Sequence, residues 1–489
     1  MKCWQYFQAM VAGTLLGVLL AVGGVAPWFF GAWEMWWFWP FAALLSVGTL
    51  CGGGLIVWLQ QGSASHRATL VLWACVPFLC YTLLRWWAGP AVFVDAERAV
   101  LLHVSGVLVA ALVVFALRYR HVPYLFWGLY SSLAVMSLYG ILNHLLTGSQ
   151  RVLWAPGYAQ YAGRATGPYF CPDHFAGAME LLVCMGLGIL LDRSVGAGRR
   201  LLGGLAVGFG GAAALMSLSR GAGMTLVVIG GLVVIWGFQQ WPIRVRWAWR
   251  VVCAMAGLLV LAGAFAGAQG YRERFVSYGG LNRVAATSEE PLHTQVVDRL
   301  LRTSRGRMFA GSWRSWQTAP WFGIGTGMHR HVWPAVAASG DGDRDAGVWP
   351  TLLNDDFHSY EVHSDWLQLL QEYGVVGMGL FLLGFGGIVA FFWQCFREVA
   401  QDWTHHELEY LDACPRDYHL VLAGFLSLGA MAFHSLGDFN LQMPGTVWML
   451  AILVGLGMRA RCRLLEDPAS EWPRELCVTG CNAGAGYKA

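Results

Sequence analysis

Lysine is almost missing from this chain: among 489 residues it occurs only at positions 2 and 488. Charge of either sign is scarce, at 12% of residues, where a soluble chain carries about 25%. That shortage excludes an ordinary soluble globular protein, and no nucleic acid is expected among its partners. A disulfide framework is lacking too, because the twelve cysteines fall mostly inside apolar runs (Cys51, Cys75, Cys184, Cys253), where they act as small buried apolar residues. Metal cages are equally hard to find. Cys477 and Cys481 form a CxxxC without a second ligand pair, and His329 and His331 form an HxH without a placed third ligand. No metal and no cofactor are expected.

What the chain does have is apolar length. Hydrophobic residues make up 56% and aromatics 14%. A run of roughly 20 apolar residues crosses a bilayer core of about 30 Å as a helix. About twelve such spans are readable, near 8–29, 35–59, 69–88, 99–117, 122–146, 174–191, 201–218, 221–238, 251–269, 365–393, 419–435 and 445–458. The first follows Lys2 as a signal peptide would. Its apolar stretch exceeds the usual 7–15-residue core and no small-residue cleavage site follows, so it is read as a span. The expected fold is therefore all-α, a polytopic integral membrane protein.

With lysine confined to positions 2 and 488, arginine has to orient the chain. Arg67, Arg118, Arg120, Arg193, Arg199, Arg200, Arg244, Arg246, Arg250, Arg397, Arg416, Arg459, Arg461 and Arg463 fall in alternate loops, and cytoplasmic loops are the ones rich in Lys and Arg. Both termini are thus expected in the cytoplasm. Residues 147–173, the 217–222 turn, the long segment 270–364 between the ninth and tenth spans, and the 436–444 loop are expected on the opposite face.

Against that pattern three outer arginines stand out: Arg151, Arg164 and Arg220. Arg220 lies in SLSRGAG between two apolar runs, where an arginine is costly unless it snorkels or pairs. Its guanidinium fork suits phosphate oxygens, and Ser217, Ser219, Gly221 and Gly223 allow close approach. The other outer polar groups cluster similarly. GPYFCPDHFAGAMEL sets Asp173 and His174 at a span entrance; SRGRMFAGSWRSWQTAPWFGIGTGMH carries Arg305, Arg307 and Arg314; HSLGDFNLQMPG sets His434, Asp438 and Asn440 where the eleventh span surfaces. GIGTG lacks the preceding strand and the spaced acidic residue of a dinucleotide fingerprint, so it is read as a turn.

HSDWLQLLQEYGVVG (363–377) opens a span with polar residues, and Ser364 or Asp365 makes a good N-cap. A continuous helix places His363, Leu367, Leu370, Gly374 and Gly377 on one stripe, whose small residues let another helix pack closely. A histidine at that mouth can exchange a proton with a substrate hydroxyl.

Together these segments resemble the O-antigen ligase / O-antigen polymerase superfamily of bacterial envelope glycosyltransferases, over roughly residues 160–455. The most specific match is His363, Ser364 and Gly374 to Gly377, which meets the ligases' pattern of His, a small polar residue, nine residues and GxxG. Cys171 and Asp173 stand where many relatives carry asparagines, and the first 150 residues match nothing specific. The resemblance implies a GT-C-like layout: N-terminal helices over 1–150, a catalytic membrane domain over 151–460 that includes the periplasmic loop 270–364, and a cytoplasmic tail over 461–489. It implies metal-independent, inverting transfer of a glycan from undecaprenyl diphosphate to an acceptor hydroxyl at the periplasmic face of the bacterial inner membrane. The acceptor is lipid A-core, another lipid-linked glycan or a protein, and the ligase-like branch is favoured. His363 is then the catalytic base, and Arg220, Arg307 and Arg305 hold the diphosphate. Asp438 orients a cation or a sugar hydroxyl, and His174, Asp173 and His434 contact substrate. The alternative from another class is a lipid-glycan flippase or transporter. It predicts ionisable groups near the bilayer midplane and an internal repeat, whereas the candidate groups here gather at one surface and no repeat is found.

Overall fold

The computed structural model describes residues 2–59, 66–89, 91–192, 194–240, 304–339, 359–405 and 417–465. Thirteen helices run through them. They are α1 (Lys2–Leu20), α2 (Met35–Leu59), α3 (His66–Trp87), α4 (Phe93–Ala111), α5 (Val122–Thr147), α6 (Pro172–Leu191), α7 (Ala197–Met216), α8 (Arg220–Gln240), α9 (Ser304–Thr318), α10 (His329–Ser339), α11 (Asp365–His405), α12 (Tyr418–His434) and α13 (Pro444–Leu465). The described sheet is one hairpin between α5 and α6, with β1 (Arg151–Val152) antiparallel to β2 (Ala155–Pro156).

The all-α polytopic architecture read from the sequence is what the structure has. Eleven of the twelve expected spans coincide with a helix; the one near 251–269 lies outside the described residues, as does the CxxxC of the tail. Among the described residues, seven helical stretches are long and apolar enough to cross a bilayer, and Arg220–Val233 and Tyr418–His434 are shorter apolar stretches.

The bundle is built around α6, which is buried along nearly its whole length and packs on α7 and α12. Glycine makes this closeness possible. A Cβ on Gly186 of α6 would stand 2.6 Å from the Gly203 carbonyl of α7, and one on Gly188 would stand 2.6 Å from the His419 carbonyl of α12. Small residues at helix crossings are how helices associate in lipid, where burial of apolar surface gives no drive. The α12–α13 crossing repeats the device at Gly424, 2.7 Å from the Leu453 carbonyl. On the other flank α3 packs against α11, and α4 against α13.

The expected stripe along α11 is corrected by the structure. His363 precedes the helix, with φ +59°, and Gly374 interrupts it at φ +67°, ψ −172°. This backbone region is essentially reserved for glycine. The turn after α9 fills the interruption. Ile324 and Gly325 donate to the carbonyls of Gln371 and Glu372 (3.0 and 3.1 Å), while Val375 and Val376 donate to those of Pro320 and Trp321 (2.9 and 3.1 Å). Gly374 therefore makes room for a neighbouring backbone rather than for a helix face. Gly377 does serve packing: a Cβ there would come within 2.8 Å of the Tyr81 ring of α3.

Candidate active site

Several chain ends meet at one end of the bundle, and each is shaped locally. Pro172 occupies the first turn of α6, where its missing N–H costs nothing. Ser217 ends α7, Leu218 turns the chain through φ +54°, and Ser219 caps α8 by accepting from the Ala222 amide at 3.4 Å. Ser364 caps α11 by accepting from the Leu367 amide at 3.4 Å, settling which of the two candidate residues is the N-cap. Asp365 instead turns to the loop after α12, where it accepts from the Ser435 hydroxyl (2.6 Å) and the Leu441 amide (3.0 Å).

The arginines do different things. Arg164 is buried, its Nε donating to the Ser217 carbonyl at 2.7 Å and its Nη2 to Asp173 at 2.8 Å. It ties the end of α7 to the start of α6. Asp173 also faces Arg305 of α9 at 3.5 Å. Arg307 is half-buried on the same helix. Arg220, half-buried, opens α8 between Ser219 and Gly221. The space of the missing Gly221 side chain is taken by the His434 ring, which a Cβ would meet at 2.6 Å. Arg151 is exposed on the β1–β2 hairpin.

His363 is about three-quarters buried, and its Nδ1 lies 3.4 Å from Asp438 Oδ1, in range for charge attraction though not aligned as a hydrogen bond. Its ring meets Phe439 edge to face at 4.6 Å, and His174 meets the same phenyl ring edge to face at 4.4 Å. Phe439 thus fixes both imidazoles. A non-glycine residue at positive φ is held there by its surroundings, and such residues cluster at functional sites. Here the Val362 amide is bonded to Gln368 on one side and the Asp365 amide to the Ser435 and Asp438 carbonyls on the other.

Behind His363 the charges continue inward. Asp438 is buried, with its Oδ2 3.7 Å from His434 Nε2, and His434 Nδ1 lies 2.9 Å from Glu180 Oε1. Burial works to raise the Asp438 carboxyl, but the imidazoles of His363 and His434 and the charge of Arg305 hold it well below the usual carboxylate range. It is a carboxylate at neutral pH. The chain Glu180, His434, Asp438, His363 alternates acid and base from inside α6 to the partly open histidine. Cys171 is excluded as a nucleophile: burial, with Asp173 and Asp438 nearby, pushes its thiol up to about 12.

So Asp173, Arg305, His174, His363, His434 and Asp438 share one cluster, with Arg220 at its edge. The sequence reading passed over Glu180, Phe439 and the structural role of Arg164. Glu180 had a usable signal, as a carboxylate in an apolar span; Phe439 had none. The HxH pair is divided, His329 bonding Gln371 (2.9 Å) and Ser359 (3.0 Å), and His331 bonding Asp95 (2.7 Å). Around them Glu372 accepts from the Gly327 and His329 amides, which fastens α10 to α11, and Arg330 pairs with Glu361 at 2.6 Å, which fastens α10 to the segment before α11.

Residues 205–382 match a family model described as O-antigen ligase. No curated protein matches the chain. The matched window holds Arg220, Arg305, Arg307, His363 and the Gly374 interruption, and leaves out Asp173, His174, Glu180, His434 and Asp438.

Proposed function

We propose that this chain, whose residues 205–382 match a family model described as O-antigen ligase, transfers a glycan from undecaprenyl diphosphate to a hydroxyl of lipid A-core, at the periplasmic face of the inner membrane. His363 takes the proton of the acceptor hydroxyl. The freed oxygen attacks the anomeric carbon opposite the diphosphate, a glycosidic bond forms with inversion, and the carbon–oxygen bond to the carrier breaks. The bonding pair leaves with undecaprenyl diphosphate, whose growing charge is met by Arg220, Arg305 and Arg307. Preorganised charge of this kind is often the largest catalytic contribution. Asp438 stabilises the imidazolium and fixes the ring, so that Nε2 meets the acceptor. His434, held by Glu180, keeps Asp438 in place, and the proton leaves through the exposed quarter of His363.

The observation that carries this reading is the pairing of a strained, partly open histidine with a buried carboxylate, beside Arg305. The test is transfer in proteoliposomes from an undecaprenyl-diphosphate-linked glycan to lipid A-core. Arg220→Lys keeps the charge but loses the planar fork, so transfer should fall by about 100-fold or more with normal insertion. Activity near wild type in both Arg220→Lys and Arg220→Ala would remove Arg220 from donor binding.

A further inference from the structure

The turn that fills the Gly374 interruption carries an unusual surface. Trp321 and Phe322 are 66% and 57% exposed, and Trp313 of α9 is 47% exposed. They form one patch: Trp313 packs against Trp316 with the rings tilted at 4.6 Å, and Trp316 Nε1 donates to the Pro320 carbonyl at 3.1 Å. The carbonyls of the turn are held by neighbouring helices. Besides its bonds to α11, the Phe322 carbonyl accepts from Tyr81 (3.0 Å) and the Gly323 carbonyl from Arg85 (2.9 Å), both on α3.

These contacts give the turn a depth. On α11 the polar stretch 365–374, with Asp365, Gln368, Gln371 and Glu372, ends at the interruption, and 375–393 has no charged residue. On α3 residues 68–84 have none either, and Arg85, Trp86 and Trp87 follow. Arginine and tryptophan next to an apolar span mark the membrane–water boundary. The turn sits at that boundary on both helices at once. Its patch continues the exposed apolar flanks of α3 (Leu83, Leu84) and α11 (Val375, Leu382, Leu383).

Helix α9 fits the same place. It buries Met308, Gly311, Ser312 and Ser315 against the protein and carries three arginines with no acidic residue. Exposed aromatics beside cationic side chains are the make-up of an interfacial helix, whose apolar side enters the boundary by roughly 5–10 Å. We propose that α9 and the Trp321–Phe322 turn form an interfacial anchor that docks into the acyl chains of the bilayer leaflet at the site end, fixing Arg305 and Arg307 at headgroup level. The partner is bulk phospholipid. The donor's isoprenoid tail and another segment of this chain are the alternatives the test separates.

The experiment places the photo-crosslinking residue benzoylphenylalanine at Phe322, and separately at Trp321, in the full-length protein. The protein is reconstituted in phosphatidylethanolamine–phosphatidylglycerol vesicles and irradiated. Mass spectrometry should find phospholipid adducts at both positions, in yield matching a Leu383 reference and several times that at Gln150 of the hairpin. Adducts within the protein, or yields no higher than at Gln150, overturn the proposal. Adducts that move to isoprenoid when undecaprenyl phosphate is added assign the patch to the donor's tail and overturn it as well. Neither readout needs transferase activity, so failure here is distinct from failure of the proposed reaction.

Discussion

Replacing Gly374 with alanine tests whether the interruption of α11 organises the site. Two costs follow from the geometry. Alanine at φ +67°, ψ −172° is strained by about 1–3 kcal/mol. Its Cβ would also overlap the Trp321 carbonyl oxygen, and would lie 2.5 Å from the Trp321 carbonyl carbon and 2.6 Å from the Gly323 nitrogen, all backbone atoms. The chain can escape only by expelling the turn, which forfeits four backbone hydrogen bonds worth about 0.5–1.5 kcal/mol each. Either way the loss should be about 2 kcal/mol or more. It should appear as easier unfolding in detergent and as faster hydrogen exchange at the amides of Ile324, Gly325, Val375 and Val376. Because α9 leads directly into that turn, glycan transfer should fall too. The control is Gly379→Ala, five residues on, where a Cβ meets nothing within 4 Å. A Gly374→Ala protein that keeps protection at all four amides and unfolds like Gly379→Ala would refute the reasoning.

Asp438→Asn should cut transfer on the order of 100-fold or more, as loss of an orienting carboxylate does in a Ser-His-Asp triad; a kcat within a few-fold of wild type would show that His363 does not depend on it. Asp438 also sets an acid limit. Its folded carboxyl lies well below the usual range, so its ionised form stabilises the fold above the unfolded value of about 3.9 and that contribution is lost as pH falls through the folded value. The stability gap between wild type and Asp438→Asn should therefore be full at neutral pH and shrink below about pH 4. Glu180→Gln removes the nearer of the two carboxylates beside the buried His434, at 2.9 Å, and leaves Asp438 at 3.7 Å. The cost should therefore approach, without exceeding, the roughly 3–5 kcal/mol of a broken buried pair. Adding His434→Gln should restore part of that loss in a double-mutant cycle of unfolding; strictly additive losses would mean the two do not interact.

Much of the bundle was legible because apolar length alone specifies a span: the 35–59 reading is α2 residue for residue, and 221–238 became Arg220–Gln240. Helices α9 and α10 were not visible inside 270–364. They are polar or short, and contacts with α11 hold them. The interruption at Gly374 was missed because hydrophobic periodicity carries no information on φ, and a glycine in a membrane helix has an obvious packing use. At the candidate site, residue type and place put His363 and Arg305 forward, and the structure brings Arg305 close to Asp173 and His363 close to Asp438. The depth of Asp438 and His434 was not legible, because a sequence shows a polar residue at a helix end without showing what closes over it. Arg164 was noticed as an exception to the charge rule, but that rule could not tell a tie between helix ends from a ligand-binding group.

The central claim is that His363 is the base, and single-turnover transfer by His363→Gln tests it most directly. Glutamine keeps hydrogen bonding but cannot take the proton, so the rate should fall by about 100- to 10,000-fold while the undecaprenyl diphosphate donor still binds. His174→Gln, which removes a ring packed against the same Phe439 ring, should lose far less. A folded, inserted His363→Gln enzyme working near the wild-type rate would contradict the account and leave His363 as a structural residue before α11.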